Sequence, residues 1–342
     1  MRPLLHQTPW KAAGLMLGIV ILLVFVCLSI VLGATKISWI TAWDSFIHYQ
    51  PSSTEHVIIR TTRLPRALFA AMIGVNLAVA GALMQALTRN ALASPGIFGI
   101  NAGAVFFVVL ALACLPITAV DQLIWVAFAG AALASTAVYL LGSLGKEGMS
   151  PMKVVIAGAA MSALFGSLTQ GMLVMDEAGL QNVMFWLAGS VAGKAAESLL
   201  PVLPYMLAAG AAACLLAHPL NILSAGEDIS RGLGQRGALV RAAVAGTIVV
   251  LAGSSVAVAG SIGFVGLVTP HIARFLVGVD YRWVIPYSAV LGAVLLLAAD
   301  IAARYVIMPG EAPIGVMTAV IGVPFFLYMA RKSVRAKGGA GG

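Results

Sequence analysis

The chain has 342 residues, of which 61% are hydrophobic and only 9% charged, with a mean hydropathy of +1.01. A soluble domain carries roughly a quarter charged residues, so this composition excludes an ordinary soluble fold and marks an all-α integral membrane protein. The formal net charge of +8 would suit nucleic acid only if it were clustered, and it is spread along the chain.

Charge-free intervals define the spans, because one charge at mid-bilayer costs about 2.5–3.5 kcal/mol. They cover 12–35, 67–88, 90–120, 122–145, 154–175, 198–226, 242–273, 283–299 and 312–330. One crossing needs about 20 residues, so interval 242–273, at 32 residues, is too long for one. Its breakers, Ala259-Gly260-Ser261 and then Thr269-Pro270, predict a tight turn followed by a short, bent second crossing. The expectation is ten spanning helices in a single membrane domain over 1–342. The basic N-terminal flank leads into a retained first span, with no small-residue cleavage site. The tail over about 333–342, rich in Gly, reads as disordered.

Ten crossings put both termini on one side. With the N-terminus inside, the inner connections hold 14 of the 20 Lys and Arg residues, and the outer ones hold Lys36, Arg60, Arg63, Arg66, Lys194 and Arg304. That bias predicts cytoplasmic termini in the cytoplasmic membrane. It turns the net charge into an orientation signal and removes nucleic acid as a partner. Within the spans, Gly74, Ala78 and Ala82 step by four, as do Gly130 with Ala134 and Gly158 with Ser162. Such spacing lets helix backbones approach closely in lipid.

One polar stretch, AHPLNILSAGEDISRGLGQR at 217–236, interrupts the apolar pattern near the middle of the chain. It cannot sit in lipid, and its placement predicts a cytoplasmic helical hairpin or loop. Ten spans also allow two halves of five. An odd number of spans per half gives opposite topology, so a shared fold would be an inverted repeat.

Much chemistry is absent. There is no GxxxxGK[ST] phosphate loop and no HExxH helix. The five histidines are scattered, and Cys27, Cys114 and Cys214 lie singly in apolar segments without metal spacing. No catalytic residue and no metal ligand are expected. Asp300 and Arg304 stand four apart, which fits either an ion pair along one helix or an arginine presented outward to a partner. Gly263, Gly266 and Pro270 break an apolar run, so backbone there is either merely kinked or irregular and enclosed by protein.

A set of motifs follows in order: RLPR at 63–66, GALMQ at 81–85, NALASPGIFGINAGA at 90–104, FWLAGS at 185–190 and LNILSAGEDISRGLG at 220–234. GFVGL at 263–267, PHIAR at 270–274, ADIAAR at 299–304, PIG at 313–315 and IGVPFF at 321–326 complete it. From about residue 60 to 330 the chain resembles the FecCD-type permease subunits of ATP-driven importers for iron–siderophore complexes, haem and cobalamin. Ala91 departs from the usual Pro, and Ser230 from a usual Ala. The resemblance implies a type II importer permease of ten helices, paired with a second permease copy or paralogue. Two ATPase subunits using ATP and Mg would dock inside and a substrate-binding protein outside, with no cofactor on this chain. It implies that the 217–236 hairpin enters the ATPase cleft through Leu220, Gly226, Glu227, Asp228, Ser230, Arg231, Leu233 and Gly234. Arg63, Arg66 and Arg304, helped by Arg60, would grip carboxylates of the binding protein. Asn90, Ser150 and Met152 would lie near the gate, and Met161, Ser162 and Gln170 along the pathway. The expected cargo is a ferric siderophore. Alternatives are haem or cobalamin, and, in a different class, an ion-driven secondary transporter that needs no ATPase.

Overall fold

The computed structural model describes residues 3–33, 35–115, 120–144, 151–175, 187–193, 200–308 and 310–338. Among the described residues all regular structure is helical. Six helices are long and apolar enough to cross a membrane, and a bent pair passes the same test together. Three shorter apolar helices accompany them: Ile100–Cys114, Val265–Val277 and Ile314–Tyr328.

Helix α1 (Thr8–Val31) is mostly lipid-facing: its buried residues are Ser29, Ile30 and Val31, all at its far end. The connection after it contains α2 (Trp39–Ile47), whose Ser38 cap accepts a bond from Thr41 N at 3.0 Å. Trp39, Ile40 and Trp43 are exposed on α2. Tryptophans placed this way suit the headgroup level of a bilayer. The charge-free intervals did not predict this helix.

A short helix α3 (Thr54–Ile58) and a π turn (Ile59–Arg63) run straight into α4 (Leu64–Thr88). Helix α4 is buried along nearly its whole length. Small residues make that possible. A Cβ on Gly74 would stand 2.4 Å from Gly292 O, and one on Gly81 1.9 Å from Gly266 O. Two other helices therefore lie directly on the α4 backbone, held by close van der Waals packing.

Interval 90–120 was expected as one span. Its first ten residues are instead an irregular turn and a 3₁₀ turn (Pro95–Phe98), and α5 (Ile100–Cys114) starts only after Gly99. Pro95 removes an amide donor and Gly99 adopts φ 70°, so the helix cannot begin earlier. Helices α6 (Val120–Ser143) and α7 (Pro151–Met175) pack beside α5. A Cβ on Gly103 would lie 2.3 Å from Ala134 Cβ, and one on Gly158 would lie 1.6 Å from Ile97 O. All three small-residue steps thus mark real close approaches.

Helices α8 (Leu203–Leu215) and α9 (Ala217–Ala225) meet at a bend of 47°, and α10 (Glu227–Gly232) completes the polar hairpin. Helix α11 (Gly237–Ala259) ends at Gly260, and α12 (Val265–Val277) follows. The predicted turn at 259–261 is present. Thr269-Pro270, by contrast, does not interrupt α12. The missing proline amide leaves Gly266 O without its helical donor, and Gln85 Nε2 supplies a bond to it at 3.2 Å. Helix α13 (Tyr281–Val306) then lies against α4, and α14 (Ile314–Gly338) closes the chain. Because α14 reaches Gly338, the first part of the segment expected to be a disordered tail is helical.

Candidate functional site: a broken helix, a hairpin and an arginine cluster

Three places concentrate polar groups in this apolar molecule. The first is the break between α11 and α12. Gly260 and Phe264 both adopt positive φ, 73° and 66°. Segments remote in sequence enclose this irregular backbone. Ser190 N donates to Ala259 O at 2.8 Å, and Gly315 N to Gly189 O at 3.3 Å. A Cβ on Gly189 would stand 2.6 Å from Ser261 O, and one on Gly322 would stand 2.3 Å from Phe264 Cβ. Asn101 Nδ2 donates to Ser261 Oγ at 3.0 Å. The kinked-helix alternative is therefore replaced by the second reading: irregular backbone, enclosed by protein, beside a cavity.

That cavity holds about 690 Å³ and is lined by Asn101, Thr169, Gln170 and Ser261 among apolar residues such as Val105 and Leu173. No lining residue is charged. Gln170, one of the three residues expected along the pathway, lines this cavity. Met161 and Ser162 are elsewhere: they pack beside the Gly99 turn, both 3.8 Å from where its Cβ would be. Helix packing decides their position. Sequence reasoning did not single out Asn101, and it took Ser261 only as part of a turn. Their signal was present, since each lies in a motif that breaks helix periodicity.

The second place is the hairpin. Gly226 joins α9 to α10 at φ 131° and ψ 158°, a conformation open essentially to glycine alone. Asp228, Ile229, Arg231 and Leu233 are exposed, and Gly234 turns at φ 71°. Leu220 and Ser230 differ from the surface role expected of them. Leu220 is buried in the core, and Ser230 Oγ donates to Gln235 Oε1 at 2.6 Å. Gln235 Nε2 in turn donates to Pro219 O at 3.0 Å, tying α10 to α9. These two residues hold the hairpin's shape. The backbone of Glu227 opens α10.

Asn90 adjoins the hairpin face. Its Oδ1 accepts from Leu92 N at 2.9 Å, capping the turn after α4, while neighbouring Arg89 donates to Leu223 O at 3.3 Å. Met152 is exposed at the start of α7, and Ser150 lies outside the described residues.

The third place is at the other end of α4 and α13. Arg66 Nε donates to Asp300 Oδ1 at 2.9 Å and its Nη1 to Glu311 Oε2 at 2.7 Å. Arg304 bonds the same Asp300 and donates to Ser29 O and Leu32 O at 2.6 and 2.7 Å. Arg63 donates to Ile30 O, Val31 O and Thr35 O. Apart from Thr35 O, these carbonyls are the unpaired end of α1, which Arg63 and Arg304 cap. Asp300 is fully buried, and Arg63, Arg66 and Arg304 are at most 8% exposed. The expectation that Arg304 is presented outward is corrected here. The i,i+4 ion pair forms, and burial holds it. Arg60 remains at the surface, bonding Ser45 O at 3.0 Å and lying 4.2 Å over the Tyr49 ring. Glu311 is the exposed member of the cluster, at 39% of its side chain. It shares a cavity of about 140 Å³ with Arg63, Arg66 and Arg304.

A membrane protein with an uncharged, largely apolar cavity at a broken helix, and with polar sites at opposite ends of its buried helices, has the build of a multi-pass permease. The chain belongs to the FecCD transport family, whose pattern matches residues 21–332. It is 53% identical over 317 residues to the Bacillus subtilis strain 168 protein YfiZ, assigned as a siderophore transport system permease, covering 93% of this chain and 95% of that one. It is 39% identical over 322 residues to FepD of Escherichia coli K12, a ferric enterobactin transport system permease, covering 94% and 95%. It is also 35% identical over 297 residues to the Halobacterium salinarum cobalamin import permease BtuC, covering 86% and 79%. A solved ABC transporter assigned to the metal-chelate type, in an inward-facing conformation, superimposes with a TM-score of 0.82 at 29% identity over 94% of this chain and 99% of that one. The chain is a transport permease and not itself an enzyme.

Proposed function

We propose that this chain is the membrane subunit of an ATP-driven importer of ferric siderophores. The observation that carries this reading is near full-length similarity to a siderophore-system permease, joined to a wide cavity without charge. A bulky chelate passes such a wall without being trapped by ion pairing, as passage requires. Cobalamin is the second reading, favoured by the more distant cobalamin permease.

The hairpin and the arginine cluster then have distinct partners. The termini and the hairpin face the cytoplasm, where an ATPase subunit using ATP and Mg engages Gly226, Asp228, Arg231 and Leu233. Two such ATPases serve a pair of permease subunits, this chain with a copy or a paralogue, and the cavity forms one wall of the path between them. Outside, a substrate-binding protein sets its carboxylates against the arginine cluster. Glu311, the half-exposed partner of Arg66, is the carboxylate an incoming one displaces, while buried Asp300 keeps the cluster together. The chain itself binds no cofactor and makes no covalent chemistry.

Uptake by a deletion strain carrying this gene tests the reading, with radio-iron hydroxamate and catecholate siderophores, labelled haem and labelled cobalamin. Uptake of one ferric siderophore, lost when the partner ATPase gene is removed, is the expected result. Uptake that survives this removal and collapses with the ion gradient would overturn the energy source, and uptake of cobalamin alone would overturn the cargo.

A further inference from the structure

Besides the Arg89 bond to Leu223 O, which ties it to the end of α4, the hairpin is fastened to α13 by a polar joint. Asn221, on the inner turn of α9, donates from Nδ2 to Asp280 Oδ1 at 2.6 Å. Its Oδ1 accepts from Tyr281 N at 2.9 Å. Asp280 is the N-cap of α13, and the same Oδ1 accepts from Arg282 N at 3.0 Å. The first amides of a helix have no partner within it. Here one is satisfied by the helix's own cap and the next by a side chain from the hairpin, so the cap of α13 is completed from α9. An asparagine suits this role because it offers a donor to the carboxylate and an acceptor to the amide at once.

Helix α13 connects this joint to the opposite face. From Asp280 to Arg304 it rises about 36 Å at 1.5 Å per residue. At its far end Asp300 and Arg304 hold Arg66 at the start of α4 and the carbonyls at the end of α1. In between, α13 lies on α4 with no side chain separating Gly292 from Gly74. Such a helix transmits displacement better than it absorbs it, since close-packed elements shift as bodies.

We propose that Asn221 is the positioning residue that makes the hairpin and α13 one body, so that force on the hairpin reaches the arginine cluster through α13. The proposal rests on the reading of the hairpin as the ATPase-engaged element. It adds which side chain passes the motion on, and to which helix.

The test uses the complete transporter in nanodiscs, with Cys27, Cys114 and Cys214 replaced by Ser. Spin labels at the exposed positions 229 and 306 report the distance from hairpin to outer α13, with labelled subunit diluted in unlabelled. In the parent protein this distance distribution stays the same between the nucleotide-free and vanadate-trapped states. In Asn221→Ala it matches the parent without nucleotide but shifts or broadens on trapping, because the hairpin then moves without α13. Asn221→Asp behaves like the alanine variant, since it sets two carboxylates together. The exchange Asn221→Asp with Asp280→Asn restores the donor–acceptor pairing and the parent behaviour, which separates lost pairing from poor folding. A parent distance that changes on trapping, or an alanine variant that tracks the parent in both states, would overturn the proposal. The hairpin reading is tested separately with Gly226→Trp. Loss of ATPase co-purification supports that reading, and retention sinks it, whatever the spin labels show.

Discussion

The two ends of α13 are built on opposite principles. At one end, three nearly buried arginines and a fully buried aspartate are locked to each other and to backbone carbonyls. At the other, a hairpin of 20 residues at 217–236 exposes Ile229 and Leu233 and pivots on a glycine with open space around it. Removing one partner of a buried ion pair leaves an uncompensated charge, so the first end resists change. The second is held by individual hydrogen bonds, each worth about 0.5–1.5 kcal/mol, and is free to be gripped from outside. A transporter needs both: a stiff frame to carry motion and a soft handle to receive it.

The sharpest way to break this contrast is Asp300→Asn. It leaves Arg66 and Arg304 buried against a neutral amide, and a destabilisation of about 3–5 kcal/mol is expected. Thermal unfolding of the purified subunit should show a large fall in Tm, and a variant as stable as the parent would mean the cluster is not the frame. Next in size is Gly226→Ala. At φ 131° even one methyl costs about 1–3 kcal/mol through the backbone alone, since no atom lies within 4 Å of it. The cost should stay local, weakening ATPase-subunit binding without moving the global Tm, whereas Gly232→Ala, also in open space, should change neither. Equal effects at the two glycines would remove the pivot from the comparison. The smallest effect is expected at Arg60→Ala, which loses a surface cation–π contact and two carbonyl bonds worth roughly 1 kcal/mol together. Its weakening of binding-protein affinity should fade as salt is raised.

Much of the fold was legible because lipid imposes simple rules. Charge-free intervals located α1, α4, α6, α7, α11 and α13, and four-residue steps of Gly and Ala located where their backbones touch. The family-like motifs were legible as strings, but their meaning was spatial. FWLAGS, PIG, IGVPFF and the segment around Asn101 have no local reason to be alike, and they converge on the break at 260–264. What could not be read was partnership at a distance. Arg66 and Asp300 are 234 positions apart, so no window reveals that the arginine is spoken for. Pro270 looked like the source of a bend because its remedy, Gln85, lies on another helix. Helix α2 escaped because a half-wet interfacial helix has neither the length nor the uniformity of a span.

The enclosure of α4 also sets a problem of timing during synthesis. Helix α4 ends at Thr88, yet its buried Arg66 waits for Asp300 and its buried Gln85 for the carbonyls of Gly266 and Leu267. At about 5–20 residues per second, the end of α13 follows α4 by roughly 10–40 s. Through that interval α4 sits in the bilayer with polar groups whose mates have not been made. Its high apolar content is what lets it remain inserted until the second half of the chain arrives.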